Sequence, residues 1–144
     1  MEETKPRKLP ISSILGILAG AIAILIIKLV FFKPASFEDG MMKTANEINK
    51  ACPIMVDQLT RLDNTVALSG NVFQYNYTLI TMNKDSVDIN LLQTSLEPLI
   101  INNIKTNPDL KIPRDNKTTM VYHYKDRNGI FLFKITVKPE QYLE

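Results

Sequence analysis

Hydrophobic positions follow three patterns along this chain. From Ile11 to Phe32 it reads ISSILGILAGAIAILIIKLVFF, an almost unbroken apolar run. That is about the twenty residues an α-helix needs to cross a hydrocarbon core. Beyond Pro34 the run gives way to a helical period. Phe37, Met41, Ala45, Ile48 and Cys52 recur at three- and four-residue steps, which predicts an amphipathic helix capped by Ser36 and closed by Pro53. Strand alternation comes next. Leu62, Val66 and Leu68 share one parity within Leu59 to Leu68, and Phe73, Tyr75, Tyr77 and Leu79 alternate with Gln74, Asn76 and Thr78. A two-residue turn at Gly70-Asn71 would set Leu68 opposite Phe73, Val66 opposite Tyr75 and Leu62 opposite Leu79.

The pattern then repeats. A helix capped by Asp85 or Ser86 would present Ile89, Leu92, Leu96, Leu99, Ile100 and Ile104, with Pro98 imposing a kink or a restart capped by Thr94 or Ser95. Asn107-Pro108 ends it, and a polar connection from Asp109 to Lys117 leads into a second hairpin. Asn128-Gly129 suits a type I′ turn, which pairs Tyr124 with Phe133, Tyr122 with Ile135 and Met120 with Val137. Pro139 closes that strand. The expected fold class is therefore α+β: an N-terminal transmembrane helix, then a helix-hairpin-helix-hairpin domain whose four-stranded antiparallel sheet packs on the helices. The expected division is a short basic tail over 1–10, a transmembrane anchor over 11–32 and an extracytoplasmic α+β domain over 36–144.

Several residues refine the anchor. Ile11 and Phe32 bound it, and Lys28 lies close enough to its end to reach the interface. A cleaved signal peptide would also begin with a basic cluster such as Lys5, Arg7 and Lys8, but Leu29-Val30-Phe31-Phe32 lacks the small residues a processing site needs. Leu18-Ala19-Gly20 would suit a lipoprotein signal, yet Ala21 stands where the lipid-accepting Cys belongs. The basic cluster favours a cytoplasmic N-terminus in a bacterial inner membrane, with the domain in the periplasm or outside the cell. Ser12, Gly16 and Gly20 line small side chains along one helix face, so a homodimer through the membrane helix is a further expectation.

Composition narrows the function by exclusion. With 17 basic and 15 acidic side chains and a net charge of +2, no nucleic-acid surface is expected. Cys52 is the single cysteine, which rules out an internal disulfide and leaves one candidate reactive thiol. His123 is the single histidine and has no catalytic partner nearby in sequence. Metal-ligand spacing and phosphate-binding glycine loops are both missing, so neither a cofactor nor a metal is expected, and no residue is assigned a catalytic role. What remains is the polar side of the sheet. Gln74, Asn76, Thr78, His123, Lys125, Lys134 and Thr136 form a candidate binding face.

The segment Cys52-Pro53-x-x-Val56-Asp57-x-x-Thr60-Arg61-Leu62-Asp63, followed by Tyr75-x-Tyr77-Thr78, resembles small bacterial exported or membrane-anchored proteins of uncharacterised function. The resemblance runs from about Ala45 to Tyr142; it implies a bacterial envelope setting and brings no activity with it. The expected function is a noncatalytic, single-pass envelope protein in contact with the lipid bilayer, whose outer domain binds a protein partner as an assembly, accessory or protective factor. A small-molecule-binding or sensing domain is the alternative, and a Cys52-dependent enzyme the third reading.

Overall fold

Apolar residues at helical spacing build the first element of the computed structural model, which describes residues 36–143. Helix α1 (Phe37–Ala51) carries Glu38 and Asp39 in its first turn and Lys50 in its last, charges that suit the helix dipole at both ends. Met41 and Ala45 are buried against Phe73, with Phe37, Ile48, Ala67 and Tyr75 packed around them. Cys52, expected on this stripe, lies one residue past the helix and is only half-buried. The transmembrane span expected over 11–32 lies outside the described residues. Among those residues no helix is long and apolar enough to cross a membrane.

The sheet corrects the expected architecture. It has five strands in the order β1-β2-β3-β4-β5, comprising β1 (Ile54–Met55), β2 (Thr60–Leu68), β3 (Val72–Leu79), β4 (Thr119–Asp126) and β5 (Phe131–Val137). Three of the pairings are antiparallel, but β3 and β4 run parallel, so the sheet is mixed rather than four-stranded and antiparallel. The cause is the connection between them. Helix α2 (Ile89–Thr106) carries the chain back along the sheet, so β4 has to start beside the start of β3. Asn71 secures that start: its side chain donates to the Asn116 and Lys117 carbonyls and accepts from the Thr118 hydroxyl, while its own carbonyl accepts from Thr119 N–H.

Register in the first hairpin also differs from expectation. The loop holds three residues, Ser69 to Asn71, with Gly70 at φ 79° and Asn71 at φ 59°. Leu68 therefore faces Val72, Val66 faces Gln74 and Ala67 faces Phe73, which turns Val66 and Leu68 away from the helices. A bulge at Asp63 returns Leu62 to the core side, opposite Tyr77. In the second hairpin Gly129 has φ 79° but Asn128 does not share a positive angle, so the turn is not type I′. Gly129 N–H donates to the Asp126 carbonyl instead, and a bulge near Leu132 restores the expected pairs Tyr124–Phe133, Tyr122–Ile135 and Met120–Val137.

Helix α2 runs through Pro98 without a restart, because Pro98 is on its exposed side. Its N-cap is Asp88, not Asp85 or Ser86, which lie in a 3₁₀ turn over Lys84–Ser86. Leu99 points to solvent, since it sits about 140° around the helix from the fully buried Ile104. The expected polar connection folds into a 3₁₀ turn (Pro108–Leu110) and helix α3 (Lys111–Asp115). Arg114 reaches back from α3 to donate to the Ile104 and Asn107 carbonyls, both at 2.6 Å, closing the C-terminal end of α2. A last turn, α4 (Pro139–Tyr142), sets the Tyr142 hydroxyl on the Thr118 carbonyl at 2.8 Å.

One edge of the sheet is closed by a side chain. β1 covers only Arg61 and Leu62 of β2. Farther along, the Asn49 amide accepts from Thr65 N–H at 2.7 Å and donates to the Thr65 carbonyl at 2.8 Å, as the peptide of a neighbouring strand would. Asn49→Ala should cost about 1–3 kcal/mol in urea unfolding and produce concentration-dependent association in size-exclusion chromatography. Unchanged stability together with a monodisperse monomer would refute this role for Asn49.

Candidate functional site

Helices α1 and α2 both lie on the face that carries Phe73, Tyr75, Tyr77 and Leu79, but they cover different strands. α1 packs on β2 and α2 packs toward β5, which leaves the side chains along β3 between them. Two clefts follow one another along that strand. The first, about 360 Å³, has Phe73 and Tyr75 for a floor, with walls from α1 (Phe37, Met41, Ile48) and from Leu110 and Ile112. The second, about 550 Å³, is floored by Tyr77, Leu79, Tyr122 and Tyr124 and walled by Leu92, Leu96 and Ile100 of α2 and by Val56 and Leu59. The rim is apolar and open to solvent: Ile112 is 68% exposed and Leu59 48%.

The floor is a block of stacked rings. Tyr75 and Tyr122 have centroids 5.2 Å apart and Tyr77 and Tyr124 5.3 Å, because parallel register places each pair side by side on β3 and β4. Burial pushes the Tyr75 and Tyr124 hydroxyls up to about 12, with Asp57 adding to the effect on Tyr124, and raises Tyr77 and Tyr122 further. All four phenols are therefore neutral at physiological pH. Tyr122 donates weakly to Met120 Sδ at 3.9 Å, whereas the Tyr75, Tyr77 and Tyr124 hydroxyls have no hydrogen-bond partner among the described residues.

The residues singled out from sequence lie on the opposite side of the sheet. Gln74, Asn76, Thr78, His123, Lys125, Lys134 and Thr136 do share that polar face, and register sets Asn76 beside His123 and His123 beside Lys134. Much of it is internally bonded. Gln74 donates to Asn76, Asn76 to Asn64, and Thr78 to Asp63, which also pairs with Arg61 at 2.7 Å. His123 stacks near Phe131, with centroids 4.9 Å apart. Burial, then the neighbouring Lys125 and Lys134, hold its pKa below the usual imidazole value, so the ring is neutral at pH 7. No hydrogen bond joins His123 to Cys52 among the described residues. The Cys52 thiol is pushed up by burial and then by Asp63, which disfavours the thiolate. Alkylation of Cys52 by iodoacetamide at pH 7.5 should run several-fold slower than that of a free cysteine; an equal or faster rate would mark an activated thiol. Among the described residues no three His, Cys, Asp or Glu side chains gather to hold a metal ion.

Alternation identified the tyrosines as core-facing, but nothing local shows which part of a sheet face two helices leave uncovered. Of the exposed apolar rim, Val56 and Ile112 fall in segments with no periodicity to mark them, and Leu59 opens a stretch that reads as strand but lies just before β2.

Residues 36–133 match the family described as Domain of unknown function (DUF8479). No curated protein matches the sequence. Three solved structures share the fold at 10–12% identity. One is a Pseudomonas aeruginosa protein described as secreted, with a TM-score of 0.56, covering 74% of this chain and 97% of that one. Another is EpsS, the pilotin of the Vibrio vulnificus type 2 secretion system, with a TM-score of 0.56, covering 72% of this chain and 89% of that one. The third is AspS, a type II secretion system pilotin from Vibrio cholerae, at 0.55, covering 72% and 90%. At such identity the likeness is one of fold.

Proposed function

We propose, for a chain that belongs to the DUF8479 family, a noncatalytic accessory role in which the domain holds a segment of another envelope protein in the groove over β3. The observation that carries this reading is the groove itself. Aromatic floor, apolar walls and exposed apolar rim are the composition of a protein-binding surface rather than of a reaction centre. An envelope setting is supported by the fold shared with a protein described as secreted and with two secretion-system pilotins. The apolar run from Ile11 to Phe32 fits the same setting as a single inner-membrane anchor, with the N-terminus cytoplasmic and the domain outside. Pairing of anchors through Ser12, Gly16 and Gly20 belongs to this reading as well.

A photo-crosslinking residue in place of Leu59 or Ile112 of the full chain should capture a discrete protein partner in cells, whereas one in place of Lys134 on the outer face should not. Adducts confined to position 134 would move the binding surface to the polar face. No adduct at any of the three would remove the reading. The cleft volumes also fall in the range of small-molecule sites, and a rise in melting temperature with a metabolite pool but no crosslinked protein would favour a ligand-binding domain.

A further inference from the structure

We infer that the groove takes a short α-helix with an apolar face and a cationic residue at each end; the inference rests on the protein-binding reading above and specifies its partner. The conformation follows from hydrogen bonding. β3 lies between β2 and β4, and β4 between β3 and β5, so the main chain beneath the groove is already paired on both sides. An extended peptide laid there would find no ladder and would bury its own amides unsatisfied. A helix satisfies its backbone internally and presents only side chains. The hydroxyls of Tyr75, Tyr77 and Tyr124, which have no protein partner among the described residues, are the polar groups the floor offers it.

Length and charge come from the same geometry. From Phe73 to Leu79 the strand covers about 20 Å, which corresponds to about 13 residues of helix. Among the described residues lining the two clefts, Asp109 and Asp57 are the only ones with a formal charge, one in each cleft. Asp57 is held by Leu59 and Thr60 N–H groups, both at 2.7 Å, which keeps its carboxyl below the usual carboxylate range and ionised. A helix with lysine or arginine at both ends meets a carboxylate at each; one with acidic ends meets repulsion at both.

The test uses the full-length chain in lipid nanodiscs and fluorescein-labelled synthetic peptides of about 13 residues read by anisotropy. One carries an apolar stripe with Lys at both ends, one the same stripe with Glu at both ends, and one is the Lys peptide interrupted by two prolines. The Lys peptide should bind about fivefold or more tighter than the Glu peptide, and the proline peptide should not bind. The preference should vanish in Asp57→Asn/Asp109→Asn, where the amide introduced at the first position retains an oxygen for the two N–H groups, and all binding should be lost in Tyr77→Ala. Equal affinity for the Lys and Glu peptides, retained binding of the proline peptide, or no binding of any would each overturn the inference. The protein-binding reading is tested separately and falls only if crosslinks from positions 59, 112 and 134 are all absent.

Discussion

Replacing Asp126 by alanine should lower the melting temperature by about 10 °C or more, one of the two largest effects expected of a single substitution. Asp126 is fully buried, and its carboxylate is held by backbone N–H donors. One oxygen accepts from Asn128 N–H at 2.8 Å and Ile130 N–H at 2.9 Å, the other from Lys84 N–H at 3.1 Å. It thereby joins the turn of the second hairpin to the start of the crossover, two segments that local sequence does not bring together. Burial alone would raise its pKa, but the N–H donors of Ile130, Lys84 and Asn128, with Arg127 nearby, outweigh that and hold it below the usual carboxylate range. The sign follows from the lowered folded value: the unfolded chain binds the proton first as pH falls. The contribution is complete above about pH 4 to 5, where an unfolded carboxylate is ionised, and is lost as pH drops through the folded pKa. Urea midpoints measured from pH 7 down to pH 3 should fall less steeply for Asp126→Ala than for the parent. Asp126→Asn should have a urea midpoint at pH 7 between the two, since its amide keeps an acceptor for Asn128 and Ile130 but turns an NH₂ toward Lys84, and a pH profile as shallow as that of the alanine variant. Parallel pH profiles for parent and alanine variant would show that the carboxylate is not the group responsible.

Ile104→Ala should cost about 2–5 kcal/mol, against about 0.5–1.5 for Ile104→Val. Ile104 has no exposed surface and sits where α2 meets the core formed by Met120, Ile135, Val137 and Tyr142. Its neighbours belong to different strands and to α4, so they cannot collapse into the space by moving one element. The same anchor holds the wall of the second cleft, so loosening it should also weaken partner capture from position 59. Urea denaturation of the two variants measures the first effect. A valine-sized loss in the alanine variant would mean that α2 is free to settle, and would argue against a preformed wall.

How far the sequence revealed this fold depends on where information is local. The pairs Tyr122–Ile135 and Met120–Val137 followed from alternation around a glycine turn, and they hold although the loop is longer than expected, because a bulge compensates for it. In the first hairpin Ser69 joins the loop and the bulge at Asp63 lies elsewhere, so alternation alone places Val66 and Leu68 on the wrong face. β1 is two residues long and leaves no period to read. The parallel neighbourhood of β3 and β4 depends on where a long crossover delivers the chain. Its clearest fastening, Asn71 to Thr118, involves residue types common in any loop. The groove shares this difficulty: Tyr75 and Tyr77 read as core because the pattern reports a face, while their partial exposure arises from where α1 and α2 come to rest.

The Asn49 amide that closes the β2 edge comes from α1, which precedes that strand in the chain. A ribosome therefore releases the guard before the strand it guards. When Thr65 first emerges, the group that will occupy its N–H and carbonyl is already tethered sixteen residues upstream. Neighbouring nascent chains, crowded on one messenger, then compete for that edge against an intramolecular partner at high effective concentration.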